Sequence, residues 1–488
     1  MPLFAPAPIE NLKAQYGERY RWLLLMALMV GTIASLIPST SVNVAIPAMS
    51  TYFGLGQERA QWITSGFMVA STLAMLVTPW MLARFGYRAT YSYAVLLLLA
   101  GGTLGGFAQH FEVLLLSRLA EGAAAGLIQP LPAVVILRAF ARHEQGRAGG
   151  MFGMGVVLAP ALAPALGGLL VDWLGWRATF FMVVPPCLLA LYLAWKLVPS
   201  TPPESTSTHR SPLDVLGLVL IGTATVSLLH ALVAFHHNHV QAAWLILVAV
   251  LAFSGFVWWQ RRWQKRGQQG LMDLRLFSCR PFVMGCVVSL IYGTAMFGST
   301  YLIPLFIQMG MGMSASYAGN LLLPAGVVLA ITIPLAGRLA DKQPAHWLVS
   351  WGMLLLALSF VLMLWAGPST ALWLLAGFIV IGRIGLGFIL PSLNLGAMRP
   401  LDRALIAQGS STISFIRMLG GAIGVGLCGI VLEWRLAVYH AVPGLPALQG
   451  RMQAFHESFV MLTLLCLLAL LAATQLRATT VKTTPEPA

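Results

Sequence analysis

Read only for apolar and polar positions, the chain is a succession of long apolar runs separated by short polar stretches. A helix needs about 20 apolar residues to cross a bilayer core about 30 Å thick. Fourteen stretches are of that order: 22–47, 61–82, 91–109, 113–137, 149–171, 179–198, 214–235, 241–259, 282–307, 316–340, 347–366, 370–392, 406–433 and 457–476. The runs are continuous and do not alternate with a period of two. They predict helices, not the strands of an outer-membrane barrel. Two polar stretches interrupt the series. Residues 200–212 are rich in Pro, Ser and Thr, residues 260–281 are basic, and together they bracket the seventh and eighth runs. The pattern predicts an all-α polytopic membrane protein in five parts. These are a cytoplasmic segment 1–21, a six-helix half 22–198, a linker 199–281 carrying two extra transmembrane spans, a second six-helix half 282–476 and a tail 477–488.

Composition narrows this further. Of 488 residues 58% are hydrophobic and 9% charged, against about 25% charged in a soluble domain, which excludes a soluble enzyme or a disordered chain. The five cysteines, Cys187, Cys279, Cys286, Cys428 and Cys466, form no CxxC pair and read as small core hydrophobes. The net charge of +14 would suggest nucleic acid in a soluble protein, but no soluble domain is there to present it. One set of loops holds Arg84, Arg88, Arg138, Arg142, Arg147, Arg261, Arg262, Lys265, Arg266, Arg399 and Arg403; the opposite set holds little beyond Arg177, Arg435 and Arg451. The first set, and with it both termini, is expected on the cytoplasmic side of the inner membrane. The first run is too long for a signal-peptide core and is expected to stay as a helix. No Walker A pattern is present, which argues against an ATP-driven pump. The cluster His236, His237 and His239 lacks Cys or carboxylate partners, so no metal or other cofactor is expected.

Several short stretches carry more specific information. The loop after the second span reads Pro79-Trp-Met-Leu-Ala-Arg84-Phe-Gly86-Tyr-Arg88, and that after the tenth reads Gly337-Arg-Leu-Ala-Asp341-Lys342. Both follow the second helix of a six-span half, as two parallel halves require. The first span ends Ser41-Val-Asn43-Val-Ala-Ile-Pro47, and the second opens Gln61-Trp62-Ile-Thr. The fourth contains Arg118 and Gly122. The fifth contains Ala159-Pro160-Ala-Leu-Ala-Pro164-Ala-Leu-Gly167-Gly168, followed by Trp176-Arg177. The thirteenth contains Arg417-Met-Leu-Gly420-Gly421-Ala-Ile-Gly424.

In this order, over roughly residues 20–475, the chain resembles the major facilitator superfamily, specifically its fourteen-span drug:proton antiporters of the EmrB type. The resemblance implies two six-helix halves that rock about a central cavity. Amphipathic drugs or hydrophobic metabolites would be expelled in exchange for protons. A periplasmic adaptor and an outer-membrane channel are partners it allows. Of the family's antiporter motif, Gly150, Pro164, Gly167 and Gly168 match, with Pro160 nearby, while Ala159 and Ala163 replace two glycines. The motif needs close helix approach at the interface between the halves and a Pro-weakened segment; ordinary small-residue packing is the plainer reading. Arg84, Gly86 and Arg88 match part of the cytoplasmic loop motif that latches the halves in the outward-facing state. Pro79 and Ala83 depart from it, and Gly337, Asp341 and Lys342 form the better copy. A positive-inside anchor is the alternative. The substrate cavity would be lined by spans 1, 2, 4 and 5 and their counterparts, with Asn43, Gln129, Gln308, Arg383 and Arg417 as candidate polar groups. Arg417 is equally placed to bond backbone carbonyls.

A charge at the bilayer centre costs at least about 2.5–3.5 kcal/mol and usually faces the bundle interior. Sorting the acidic residues leaves one near the midplane, Glu121, about nine residues or about 13 Å into the fourth span. Arg118 lies three residues before it, on the same helical face. Relatives commonly carry Gln at the position of Glu121, and an Asp in the first span where this chain has Pro38. Burial favours the neutral form of Glu121 and Arg118 the charged form. A site whose two access states change that balance carries a proton; a permanent structural pair does not. Glu121 with Arg118 is therefore the expected proton-coupling site. Two other readings stay open: a dedicated exporter of one metabolite or siderophore, and a non-transporting sensor or assembly factor with the same fold.

Overall fold

The computed structural model describes residues 9–199, 212–235, 238–268, 270–313, 315–440 and 446–476. The linker stretch 200–211, His236 and His237 lie outside them. The helices are α1 (Ile9–Tyr16), α2 (Tyr20–Phe53), α3 (Gln57–Gly106), α4 (Phe111–Ile128), α5 (Leu131–Ala139), α6 (Gln145–Leu174), α7 (Ala178–Phe181) and α8 (Val184–Leu197) in the first half. Then come α9 (Val215–Ala234) and α10 (His239–Lys265), and α11 (Arg280–Leu305), α12 (Ala315–Ala340), α13 (Ala345–Met363), α14 (Leu372–Met398), α15 (Ile406–His440) and α16 (Ala447–Ala473). No strand occurs among the described residues.

Twelve helical segments among the described residues are long and apolar enough to cross a membrane. One of them runs through the second and third spans as a single element. Its only non-helical residue is Gly86, with φ 77° and ψ 178°, a conformation that side chains with a Cβ avoid. Divided there, and with the 30-residue α6 included, the series reaches the fourteen spans read from the sequence. Most helices overrun the apolar runs, because Lys, Arg and Gln favour helix and their stems lie along apolar surface. Thus α10 continues through Gln260–Lys265, where the sequence pattern predicted linker. The fourth span is broken instead. Gln129 ends α4 and Pro130 precedes α5, since proline cannot donate to the preceding turn.

The two halves repeat one plan. In the second half α11 lies along α15 and α13 along α14; in the first half α2 lies along α6 and α3 along α4. Each half has its own apolar core, one around Leu28, Tyr91, Leu98 and Ile128, the other around Phe306, Phe360, Phe455 and Phe459. The halves meet through α6 against α12 and α3 against α15. The extra pair α9–α10 lies over the second of these seams. Leu76 of α3, Ile221 of α9, Phe256 of α10 and Phe415 of α15 share one cluster. The pair is pinned by buried Asp214, which accepts hydrogen bonds from the Gly217 amide (2.8 Å), Trp259 Nε1 (2.8 Å) and Gln260 Nε2 (2.6 Å).

Candidate functional site

Helix α4 places its charges with a run of small residues. Gly122 and Gly126 pack so closely on α3 that an added Cβ would meet the backbone of Phe67 and Ser71, the close approach that small residues permit in membranes. Glu121 lies ten residues into α4, about 15 Å along the axis. It and Arg118 are both fully buried. Arg118 Nη1 donates to Glu121 Oε2 at 2.6 Å and to the Pro38 carbonyl of α2 at 3.2 Å; Nε donates to the Ile63 carbonyl of α3 at 2.9 Å. The guanidinium also stacks 4.5 Å from the Phe67 ring centre. One cation thus joins three spans. The carboxylate faces the other way, within its own half. Gly101 and Gly102 of α3 wall it in, and Glu121 Oε1 has no hydrogen-bond partner.

The second half carries two further mid-membrane cations. Arg383 is on α14 and Arg417 on α15; each is partly exposed, and among the described residues neither donates a hydrogen bond or forms an ion pair. The expected alternative bond from Arg417 to a backbone carbonyl is therefore not made. Both lie within electrostatic reach of Tyr292 on α11, which is only 3% exposed. Both arginines therefore lie near a side chain of the bundle interior. Backbone proximity puts Arg417 there: an added Cβ at Gly293 would meet the Arg417 carbonyl, and one at Gly420 the Leu290 carbonyl.

At the arginine-rich end the halves are clamped. The backbone N–H groups of Gly146 and Arg147, in the first turn of α6, donate to Asp341 Oδ1 (2.6 Å) and Oδ2 (2.7 Å). A carboxylate from one half thereby caps a helix N-terminus of the other, where unpaired amides and the helix dipole favour an anion. Arg399 adds to the clamp, with Nε donating to Gln145 Oε1 (3.2 Å) and Nη2 to the Arg142 carbonyl (2.7 Å); it also lies 3.6 Å from Asp341. Burial draws the Arg399 guanidinium below its ordinary range; Asp341 opposes that shift and Arg142 adds to it. Gly150 makes the approach possible. An added Cβ would stand 2.9 Å from the Ile333 carbonyl and from Pro334 Cα, and 3.1 Å from Gly337 Cα.

The structure sorts the sequence candidates unevenly. Asp341 and Gly337 stand in the clamp, while Lys342 is exposed at its edge. Of the first loop copy, Arg84 is exposed beside Trp80 and Phe85, Gly86 makes the kink, and Arg88 is buried. Gly150 faces the other half, but an added Cβ at Gly167 would stand 3.1 Å from Ser41 of α2, within its own half, and one at Gly168 3.9 Å from Val44. Among the described residues, close approach between the halves therefore rests on the start of α6 and not on Gly167 or Gly168. Gln129 ends α4. Gln308 is exposed in a π-helical turn, Phe306–Gly310, at the end of α11. That is about 24 Å along the helix from Tyr292, so it stands apart from the two arginines. The side chains of Asn43, Pro160 and Pro164 lie outside the described residues. Tyr292, Gly146 and Gln145 were not singled out beforehand; an isolated Tyr in an apolar run and the first turn of a helix carry no pattern of their own.

This architecture and the comparisons with known proteins agree. Residues 28–425 match the model of the Major Facilitator Superfamily. The chain belongs to this superfamily of membrane transporters, which act on small molecules. It is 28% identical over 426 residues to the multidrug export protein EmrB of Haemophilus influenzae, covering 86% of this chain and 82% of that one. It is 26% identical over 429 residues to the lincomycin resistance protein LmrB of Listeria innocua, covering 86% and 88%. Among solved structures, the proton:xylose symporter XylE superposes with a TM-score of 0.64 at 14% identity over 92% of this chain and 95% of that one. The human organic anion transporter MFSD10 gives 0.61 at 15%, over 92% and 99%. These two likenesses concern the fold.

Proposed function

We propose that the chain is a secondary active transporter of the inner membrane. It exports amphipathic drugs or hydrophobic metabolites in exchange for protons, by alternating access. The arginine-rich end faces the cytoplasm, and the Asp341 clamp closes it in the conformation described. Relatives named for multidrug export and lincomycin resistance support the substrate class. The observation that carries the coupling is the Arg118–Glu121 pair. Among the described residues Glu121 is the one carboxylate at mid-membrane depth, and its Oε1 is unsatisfied. Arg118 also holds the carbonyl of Pro38, the position where antiporters of this type commonly carry their first-span acid. In this chain the arginine's carboxylate partner stands on α4, and proton binding is placed there. Displacement of α2 or α3 loosens the guanidinium and changes the proton affinity of the carboxylate.

One proton crossing 100 mV contributes about 2.3 kcal/mol, enough for a roughly fifty-fold substrate gradient. Proteoliposomes with an imposed pH gradient test the reading, using ethidium, lincomycin and 2-naphthoate as a panel. Gradient-dependent accumulation of at least one is the expected result. Passive equilibration of every transported compound removes antiport, and transport of none of them removes general export.

A further inference from the structure

The first half is electrically balanced at mid-membrane depth, because Arg118 is matched by Glu121. The second half is not. Arg383 lies eleven residues into α14, Arg417 eleven into α15 and Tyr292 twelve into α11. At 1.5 Å per residue each is about 16–18 Å from its helix start, and all three sit near the midplane. Among the described residues these two guanidiniums, on different helices, have no acidic partner, a costly arrangement at membrane depth. Intramembrane charges normally pair with one another or with backbone carbonyls, and they mark substrate and ion pathways. The glycines Gly293, Gly420, Gly421 and Gly424 lock α11 onto α15 at this level, and Thr294 Oγ1 donates to the Gly420 carbonyl at 2.9 Å. The backbone that carries Arg417 is therefore packed tightly against the helix that carries Tyr292. What the two arginines offer is a set of donors: two planar N–H forks suited to a carboxylate or sulfonate, with a phenol hydroxyl within electrostatic reach of both.

We propose that Arg383, Arg417 and Tyr292 form an anion subsite, and that the substrate is an amphipathic organic acid whose anionic head seats there. This rests on the transporter reading above and sharpens its substrate class. Arg383 and Arg417 bind the head, and Tyr292 donates to it or positions it. The subsite selects for charge first, because no other group in the set can compensate a substrate cation.

Equilibrium binding to the purified full-length protein tests this without a proton gradient. The probes are 2-naphthoate and its neutral isostere 2-naphthamide. The wild type should bind naphthoate at least about tenfold more tightly, as charge-assisted hydrogen bonds imply. Arg383→Gln and Arg417→Gln should each bring that ratio below about twofold. Arg417→Lys should keep part of it, which separates loss of charge from loss of fold. Arg261→Gln, an exposed charge on α10, should leave it unchanged. Equal affinity of the wild type for the two probes, no measurable binding of naphthoate, or a preference that survives both Gln variants overturns the subsite. Gradient-driven transport of ethidium alongside equal binding of the two naphthalenes would overturn only this inference. Preferential naphthoate binding without any gradient-driven transport would overturn only the antiport reading.

Discussion

Arg118→Leu is expected to destabilise the protein by about 3–5 kcal/mol, because it leaves the Glu121 carboxylate buried without its counter-charge. Two carbonyl acceptors, those of Pro38 and Ile63, lose a charged donor in the same step. The double variant Arg118→Leu with Glu121→Leu should recover most of that loss, since replacing a whole buried pair by apolar residues is often close to neutral. Thermal unfolding in detergent separates the two. A single variant that unfolds at the wild-type temperature would mean that Glu121 already carries a proton in the resting protein. A double variant as unstable as the single one would mean that the carbonyl bonds, not the charge pair, hold α2, α3 and α4 together.

The second large effect is conformational. Asp341→Ala removes two short charge-assisted hydrogen bonds between the halves and the anion at the start of α6. At about 1.5–3 kcal/mol for a hydrogen bond to a charged group, discounted because water enters the opened interface, a loss of roughly 2–4 kcal/mol follows. That corresponds to a shift of about thirty- to several-hundred-fold toward the open arginine-rich end. Spin labels at Ala141 and Gln343, in a cysteine-free background, should report a new population at longer separation. Asp341→Asn should lie between, since an amide oxygen still accepts one bond. An unchanged distance distribution in Asp341→Ala would show that Arg399 and the glycine contacts close this end by themselves. The first loop copy offers no substitute carboxylate: Ala83 stands where the motif often has Asp. Asp341 therefore carries the clamp from one side only.

Much of this was legible before any coordinates. Continuous apolar runs marked the spanning helices because helices crossing lipid must satisfy their own backbone, so length and apolarity alone reveal them. Glu121 stood out because a mid-span carboxylate is rare and costly. The spacing of Arg118 to Glu121 placed both on one face, and they do form an ion pair. Other features were hidden for physical reasons. Helix ends extended past the apolar limits because polar residues such as Gln260 and Lys265 continue a helix at no cost. Pro130 divided the fourth span inside an otherwise apolar run. The direction in which Gly167 faces depends on the rotation of α6 about its axis, which small residues on several faces leave unspecified. The clamp joins residues 195 positions apart, and only the packing of α6 on α12 brings them together. The loop motif pointed to Asp341 but not to its partner, because that partner is backbone and carries no sequence signature. Tyr292 was silent for the same reason: its neighbours Arg383 and Arg417 come from helices far along the chain.

Whether one carboxylate couples proton movement to export is measured by comparing two modes of transport in proteoliposomes containing Glu121→Gln. Exchange of labelled for unlabelled substrate needs only alternating access, whereas accumulation against a gradient needs the proton. Glu121→Gln is expected to retain exchange within a few-fold of the wild type and to lose pH-driven accumulation altogether. Undiminished pH-driven accumulation by Glu121→Gln would contradict it and leave the Arg118–Glu121 pair as a structural tie between spans.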